Sequence, residues 1–191
     1  MSDGETDEVF LDDTWSLYFH DPQDSDWRLS SYVKITDVSS ANEFWGVANT
    51  VGNRIGNGMF FLMREHVFPC WDDKYNIQGG CLSIKVANDA VARTWNELCT
   101  EILGEGMEAE CAALAAEHGA TGATGATGGA AVEINGISVS PKYNFAIIKL
   151  WLSSARMQEP RLRPASLRDD SFFRLNLQSL HSGQAQQAAS T

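Results

Sequence analysis

Apolar positions recur along this chain with two periods, every second residue in some stretches and every third or fourth in others, so strands and helices are both expected. Trp15, Leu17 and Phe19 predict a first strand, closed by an Asp/Pro/Ser turn over residues 20–26 with Trp27 just beyond it. Residues 32–35 read as a short second strand. Ser40 followed by Glu43, just ahead of Phe44 and Trp45, carries the signature of a helix start, and Gly52, Gly56 and Gly58 break that helix. Residues 59–63 are an apolar strand, residues 64–66 a turn, and Trp71 lies on the loop that follows.

Residues 81–86 alternate again, and Asn88 or Asp89 is placed to cap a helix with Val91, Trp95, Leu98 and Ile102 on one face, ended by Gly104 and Gly106. Residues 107–118 are Ala-rich and helical in composition. Residues 131–134, a turn at Asn135 and Gly136, and residues 143–152 read as a hairpin, with a basic connector over 161–170 and a last strand over 172–177. The expected fold is α+β: a curved antiparallel sheet of about eight strands backed by two or three helices on its convex face. Residues 1–10 form an acidic flexible N-terminus and residues 11–181 one domain. An Ala-Thr-Gly repeat makes a low-complexity loop at about 119–130, and residues 182–191 a disordered tail.

The formal net charge of −11 over 191 residues disfavours broad electrostatic attachment to a nucleic-acid backbone and leaves room only for a small, locally read ligand. Cys70, Cys81, Cys99 and Cys111 stand too far apart for a C-x-x-C pair, so neither a zinc knuckle nor a redox motif is expected. An acidic, polar N-terminus and the lack of a long apolar run predict a soluble cytoplasmic or nuclear protein without a membrane span. His20, His66, His118 and His181 are scattered singly. No nucleophile and base pair, paired carboxylate or phosphate loop is apparent, so the reading is of a binding protein without catalysis or cofactor.

Six tryptophans are the chemistry that stands out. Trp27 after its acidic turn, Trp71 beside Asp72, and Trp151 at the end of an apolar strand offer ring faces and an acid. Together they suit an electron-poor, cationic heterocycle, stacked on the indoles and hydrogen-bonded at its edge. Trp15 and Trp95 read as packing residues.

In order and spacing the chain resembles the eukaryotic translation initiation factor 4E family, the mRNA 5′-cap-binding proteins, over about residues 11–181. The resemblance is carried by Trp15-Ser16-Leu17-Tyr18-Phe19, Asp26-Trp27, Glu43-Phe44-Trp45, Pro69-Cys70-Trp71-Asp72-Asp73-Lys74, Gly79-Gly80, Thr94-Trp95-Asn96-Glu97, Ile102-Leu103-Gly104-Glu105 and Trp151. It implies that Trp27 and Trp71 sandwich a 7-methylguanine, that Asp72 stands for the family glutamate accepting from its edge, and that Trp151 contacts the N7 methyl. Lys142 aligns with a family arginine for the triphosphate. Two further family lysines fall on Asn144 and Ile147, so compensation is expected from Lys149, which shares strand parity with Trp151, with Arg161, Arg163, Arg168 and Arg174 as other candidates from the connector and last strand. Tyr18 and Leu82 replace family tryptophans that pack.

The same resemblance implies a partner surface around Trp45 and Leu11, for a scaffold of the initiation factor 4G type or a repressor docking through a helix. Ala41, Asn96 and Thr100 replace apolar positions there, which points to an altered contact. The implied function is to bind the 7-methylguanosine cap of mRNA and recruit the scaffold for translation initiation. Two alternatives stand beside it: a translational repressor that binds the cap without recruiting the scaffold, and a protein-interaction module of the same fold with weak cap binding.

Overall fold

Strand alternation sends one set of side chains under the helices and leaves the other set on an open face. The computed structural model describes residues 8–118 and 133–179. Its strands are β1 (Phe10–His20), β2 (Tyr32–Ser40), β3 (Met59–Arg64), β4 (Gly80–Ala87), β5 (Ile134–Pro141), β6 (Phe145–Leu152) and β7 (Ser171–Leu175). Its helices are α1 (Ala41–Val51), α2 (Val91–Leu103) and α3 (Gly106–Glu117), and short 3₁₀ turns connect β6 to β7. The strands form one sheet in the order β2-β1-β3-β5-β6-β4-β7, antiparallel at every junction.

The helices cover a single face. Leu17, Leu62, Leu82, Ile148 and Leu150 from the sheet meet Phe44 of α1 and Trp95, Leu98 and Ile102 of α2 in one buried cluster. In α2 the three-to-four spacing of Val91, Trp95, Leu98 and Ile102 makes the apolar stripe that this contact needs. In α1 the start is set by side chains. Ser40 Oγ accepts the Glu43 N–H at 3.3 Å, while Glu43 Oε2 accepts the Ser39 N–H at 2.7 Å and its hydroxyl at 2.9 Å. The first of these satisfies a donor that the first turn otherwise leaves open, and the other two tie Glu43 back to the residue before the cap. Gly52 ends the helix at φ +50°, a conformation that side chains disfavour.

A buried arginine joins four elements. The Arg64 guanidinium lies 5.0 Å over the Trp15 ring, pairs with Asp13 and with Glu108 at 3.0 Å, and donates Nε–H to the Ile134 carbonyl at 3.0 Å. Glu108 also accepts the Ile134 N–H at 2.6 Å, so α3 is stitched to the start of β5.

Several expectations change. Seven strands form among the described residues rather than about eight. Asn135 and Gly136 lie inside β5 instead of at a turn, and the hairpin closes over residues 142–144, where the Lys142 N–H bonds the Phe145 carbonyl at 2.8 Å. The reason is a register shift between Ile134 and Gly136. A Cβ on Gly136 would lie 2.7 Å from the Leu62 carbonyl oxygen, so only glycine permits this approach of β5 to β3. Helix α2 is entered through Ala90 without a side-chain cap, so neither Asn88 nor Asp89 serves. Glu8 to Phe10, expected in the flexible run, are tied down: Glu8 accepts from Ser40 Oγ at 2.9 Å, the Val9 carbonyl from Ala41 N–H at 2.8 Å, and Phe10 opens β1. The Ala-Thr-Gly repeat, residues 131 and 132, His181 and the C-terminal tail lie outside the described residues.

Candidate functional site

On the face away from the helices, Phe61, Met63, Val67, Cys81 and Trp151 make a second cluster, with Tyr18, Tyr32, Met59 and Trp71 packed against it. Rings meet edge to face around Tyr32, whose centroid is 5.0 Å from Phe68 and 5.5 Å from Phe61. Burial raises the Tyr32 hydroxyl above the ordinary tyrosine range.

Trp71 sits on the loop between β3 and β4, and buried amides hold that loop. Asn76 donates to the carbonyls of Phe68 at 3.0 Å and Cys70 at 2.9 Å. Asn135 donates to Asn76 Oδ1 at 2.9 Å and to the Tyr75 carbonyl at 2.8 Å, and Asn176 donates to the Asn76 carbonyl at 2.7 Å. All three asparagines are at most 1% exposed. Backbone polar groups of a loop lying on a sheet need such partners, so the network is the reason the loop keeps one shape. It presents Trp71 half-buried, with Asp72 exposed beside it. Burial, and next the neighbouring Asp72 carboxylate, push the Cys70 thiol up to about 12.

Trp27 is 50% exposed on the turn after β1. Side chains of Asp21, Asp24 and Asp26 accept the N–H groups of Gln23, Asp26 and Arg28 at 2.8–2.9 Å, and these closures shape the turn. The Arg28 guanidinium, bonded to the Asp26 carboxylate, holds Asp26 at about 2. One face of the Trp27 indole is already covered: His20 stacks on it with centroids 4.3 Å apart and planes 3° from parallel. His20 Nε2–H donates to the Asp26 carbonyl at 2.8 Å, while its buried Nδ1 has no partner. No ring contact joins Trp27 directly to Trp71 among the described residues; Tyr32, 6.4 Å from Trp27, packs against the same buried cluster as Trp71. Trp151 is 3% exposed, and its Nε1–H donates to Ser138 Oγ at 2.9 Å. It backs the cluster and offers little ring face.

Cations stand beside these rings. Lys149 Nζ lies 5.6 Å over the Trp71 ring, and Arg174 and Trp151 share a row across β7, β4 and β6 through Cys81. Burial holds the Lys149 ammonium below the usual lysine range; Cys81 opposes that, and the charges of Lys142 and Arg174 add to it. Lys142 is exposed at the hairpin tip. Sequence reading missed two residues on this face. His20 could be found only once its stack was seen. Lys85 was legible, because it shares strand parity with Cys81, and its Nζ lies 4.4 Å over the Phe145 ring.

The helical face carries Trp45, 44% exposed on α1, its ring 5.1 Å from that of the buried Phe44. Leu11 packs against the core, Asn96 is half-buried on α2, and Thr100 is exposed with its hydroxyl bonded to the Asn96 carbonyl at 2.8 Å. Asn96 also lines a small cleft between α1, α2 and the sheet. Among the described residues no cluster of His, Cys, Asp and Glu is set to hold a metal, and no helix is long and apolar enough to cross a membrane. Chemically, the open face combines exposed and half-exposed indoles, the acid Asp72 beside Trp71, the Lys34–Asp37 pair, and further cations that form no ion pair among the described residues. It can stack a planar base and neutralise phosphates.

Comparison with known proteins accords with this geometry. The model of the family described as eukaryotic initiation factor 4E matches residues 10–179. Eukaryotic translation initiation factor 4E of Eremothecium gossypii is 23% identical over 153 residues, 76% of this chain and 63% of that protein, so the chain spans less than two thirds of that relative's length. Among solved structures, Caenorhabditis elegans eIF4E-3 in complex with the 4E-binding protein Mextli and a cap analog aligns with TM-score 0.66 and 18% identity, over 91% of this chain and 96% of that one. Ascaris suum eIF4E-3 with m7G cap aligns with TM-score 0.59 and 18% identity, over 84% and 88%. At such identities the structures establish a shared fold, including its curved antiparallel sheet. With the family model matching 10–179, nearly the whole chain, this protein belongs to the eukaryotic initiation factor 4E family.

Proposed function

We propose that this protein binds the 7-methylguanosine 5′ cap of mRNA on its open sheet face and a partner protein on its helical face. The observation that carries the reading is the preorganised Trp71–Asp72 loop, with Lys149 over the indole, on a face where Lys142, Lys149 and Arg174 form no ion pair among the described residues. The methylated base stacks on Trp71 and on the uncovered face of Trp27, and Asp72 accepts hydrogen bonds from its edge. Methylation at N7 makes the ring cationic, which favours indole faces and an anion over plain solvent. Trp151 supports the cluster from below. Lys142, Lys149 and Arg174 take the phosphates.

Stacking contributes about 1–3 kcal/mol per aromatic and each charge-assisted hydrogen bond about 1.5–3 kcal/mol. After the cost of association this suits an affinity on the order of micromolar, about −8 kcal/mol. Relatives solved with m7G cap, and with a cap analog and Mextli together, support both halves of the reading. The protein acts by recognition, without a catalytic step.

The test is a titration of tryptophan fluorescence with 7-methylguanosine triphosphate against GTP, in wild type, Trp71→Ala and Asp72→Ala. Saturable quenching by the methylated nucleotide alone, lost in both variants, is expected. No methyl-selective response in the folded wild type would sink the cap assignment.

For the helical face, we take Trp45 as the anchor for a partner helix, with Leu11, Asn96 and Thr100 around it. The polar Asn96 and Thr100 weaken an apolar groove there, which favours a second reading in which the protein binds the cap without recruiting the scaffold of the initiation factor 4G type. Pull-downs with wild type and Trp45→Ala decide which partner depends on this surface.

A further inference from the structure

The cationic strip runs along β4 and β6 from Lys149 toward the hairpin tip at Lys142. Strand pairing sets Phe172 of β7 opposite Ser83, and Ser83 opposite Lys149, on the same face as Trp151 and Arg174. One step further along β4 and β6, Lys85 pairs with Ile147, and beyond it Ala87 pairs with Phe145. Lys85 is exposed, its ammonium capping the half-buried Phe145 ring, and Phe172 is 66% exposed on the edge strand. Neither Lys85, Lys142, Lys149 nor Arg174 forms an ion pair among the described residues, in a chain whose formal net charge is −11. Excess acid elsewhere makes four unpaired cations on one face a local exception, of the kind that focuses an anion there.

We propose that β4, β6 and β7 carry a second binding site, next to the cap, for the single-stranded RNA that follows it, with Lys85 meeting its backbone and Phe172 and Phe145 giving its bases ring faces. Cations that track phosphates, interleaved with exposed aromatics that accept any base, are how single strands are bound without sequence preference. An acidic peptide would use the lysine but leave the aromatic edge idle. The strip begins at two of the cations assigned to the phosphates, Lys149 and Arg174, and reaches the third, Lys142, at the hairpin tip beside Phe145. This inference rests on the cap assignment for its direction, from Trp71 toward Phe145, but not for its chemistry.

The experiment compares 7-methylguanosine triphosphate, a capped octaribonucleotide and the same octamer with an uncapped 5′ triphosphate, on wild type and on the double variant Lys85→Gln, Phe172→Ser. Both replaced side chains are exposed, so the fold is retained, and unchanged affinity for 7-methylguanosine triphosphate checks it. In wild type the capped octamer is expected to bind about tenfold tighter than the nucleotide, the worth of one stacked base. The double variant is expected to bind both alike. Lys85→Gln alone should lower the salt slope by about 0.7, the share of one phosphate contact on a single strand. Equal affinity of the octamer and the nucleotide in wild type, or a gain that survives in the double variant, overturns the proposal. Should the nucleotide itself fail to bind, the cap assignment falls. The strip then stands only if the uncapped octamer binds wild type and not the double variant, and falls with it otherwise.

Discussion

Replacing Asn76 with alanine tests whether the Trp71 loop is held from inside. Asn76 is 0% exposed and cannot touch a ligand. The change removes the bonds to the Phe68 and Cys70 carbonyls and the acceptor for Asn135. At about 1 kcal/mol net per hydrogen bond the loss is about 3 kcal/mol, and more where the two carbonyls stay buried and unsatisfied. A domain of ordinary stability, about 5–15 kcal/mol, survives that and remains folded. Urea unfolding followed by tryptophan fluorescence should show a midpoint lower by about 1.5 M if the slope is about 2 kcal/mol per molar. Affinity for 7-methylguanosine triphosphate should fall as well, because Trp71 and Asp72 no longer start from one conformation. Asn76→Asp keeps the shape and the acceptor but sets an anion against two carbonyl oxygens, so it should destabilise at least as much at neutral pH. A loss under about 1 kcal/mol with full nucleotide affinity would refute the reasoning, since the loop would then be held by something other than these amides.

Arg64→Leu removes the charge that Glu108 and Asp13 share and leaves Glu108 partly buried without its partner, so a loss of about 3–5 kcal/mol is expected in the same unfolding assay; a change within about 0.5 kcal/mol would show the pairs to be incidental. In the proposed cap site Lys149 is expected to contribute a pH dependence. Burial lowers its folded value, and a bound phosphate restores the charged form, so binding takes up a proton and weakens as pH rises through that lowered value. Titrations at rising pH should show the loss move to higher pH in Lys149→Arg, and an identical profile in the two proteins would exclude Lys149 from the phosphate site.

What could be read in the sequence divides along local and non-local physics. The α1 start was legible because Ser40 and Glu43 act within one turn, and the α2 stripe because Val91, Trp95, Leu98 and Ile102 repeat at helical spacing. Trp71 and Lys149 were legible too, the first from the residues around it and the second from strand parity with Trp151. Their meeting, ring under ammonium, follows from the way the loop folds over the sheet. Asn135 and Gly136 misled because their turn chemistry is local, whereas β5 is held by its pairing with β3, a strand some seventy residues earlier, and by the bond from Asn135 to Asn76. His20 carries no local mark at all. Its partner ring is seven residues away across an acidic turn, and only the folded turn lays one on the other.

The strand order has a consequence for how this protein is made. The open face draws Trp27, Trp71, Lys142, Lys149 and Arg174 from nearly the full length of the described chain, and β4 finds its last neighbour only in β7. Contacts so distant in sequence form late, after the loop-closure entropy of the intervening chain has been overcome. On a translating ribosome, chains lacking residues 171–175 would expose the edge of β4 and lack Arg174. Half-made copies would therefore be poor competitors for a ligand, and prone to pair their bare strand with one another until the last stretch emerges.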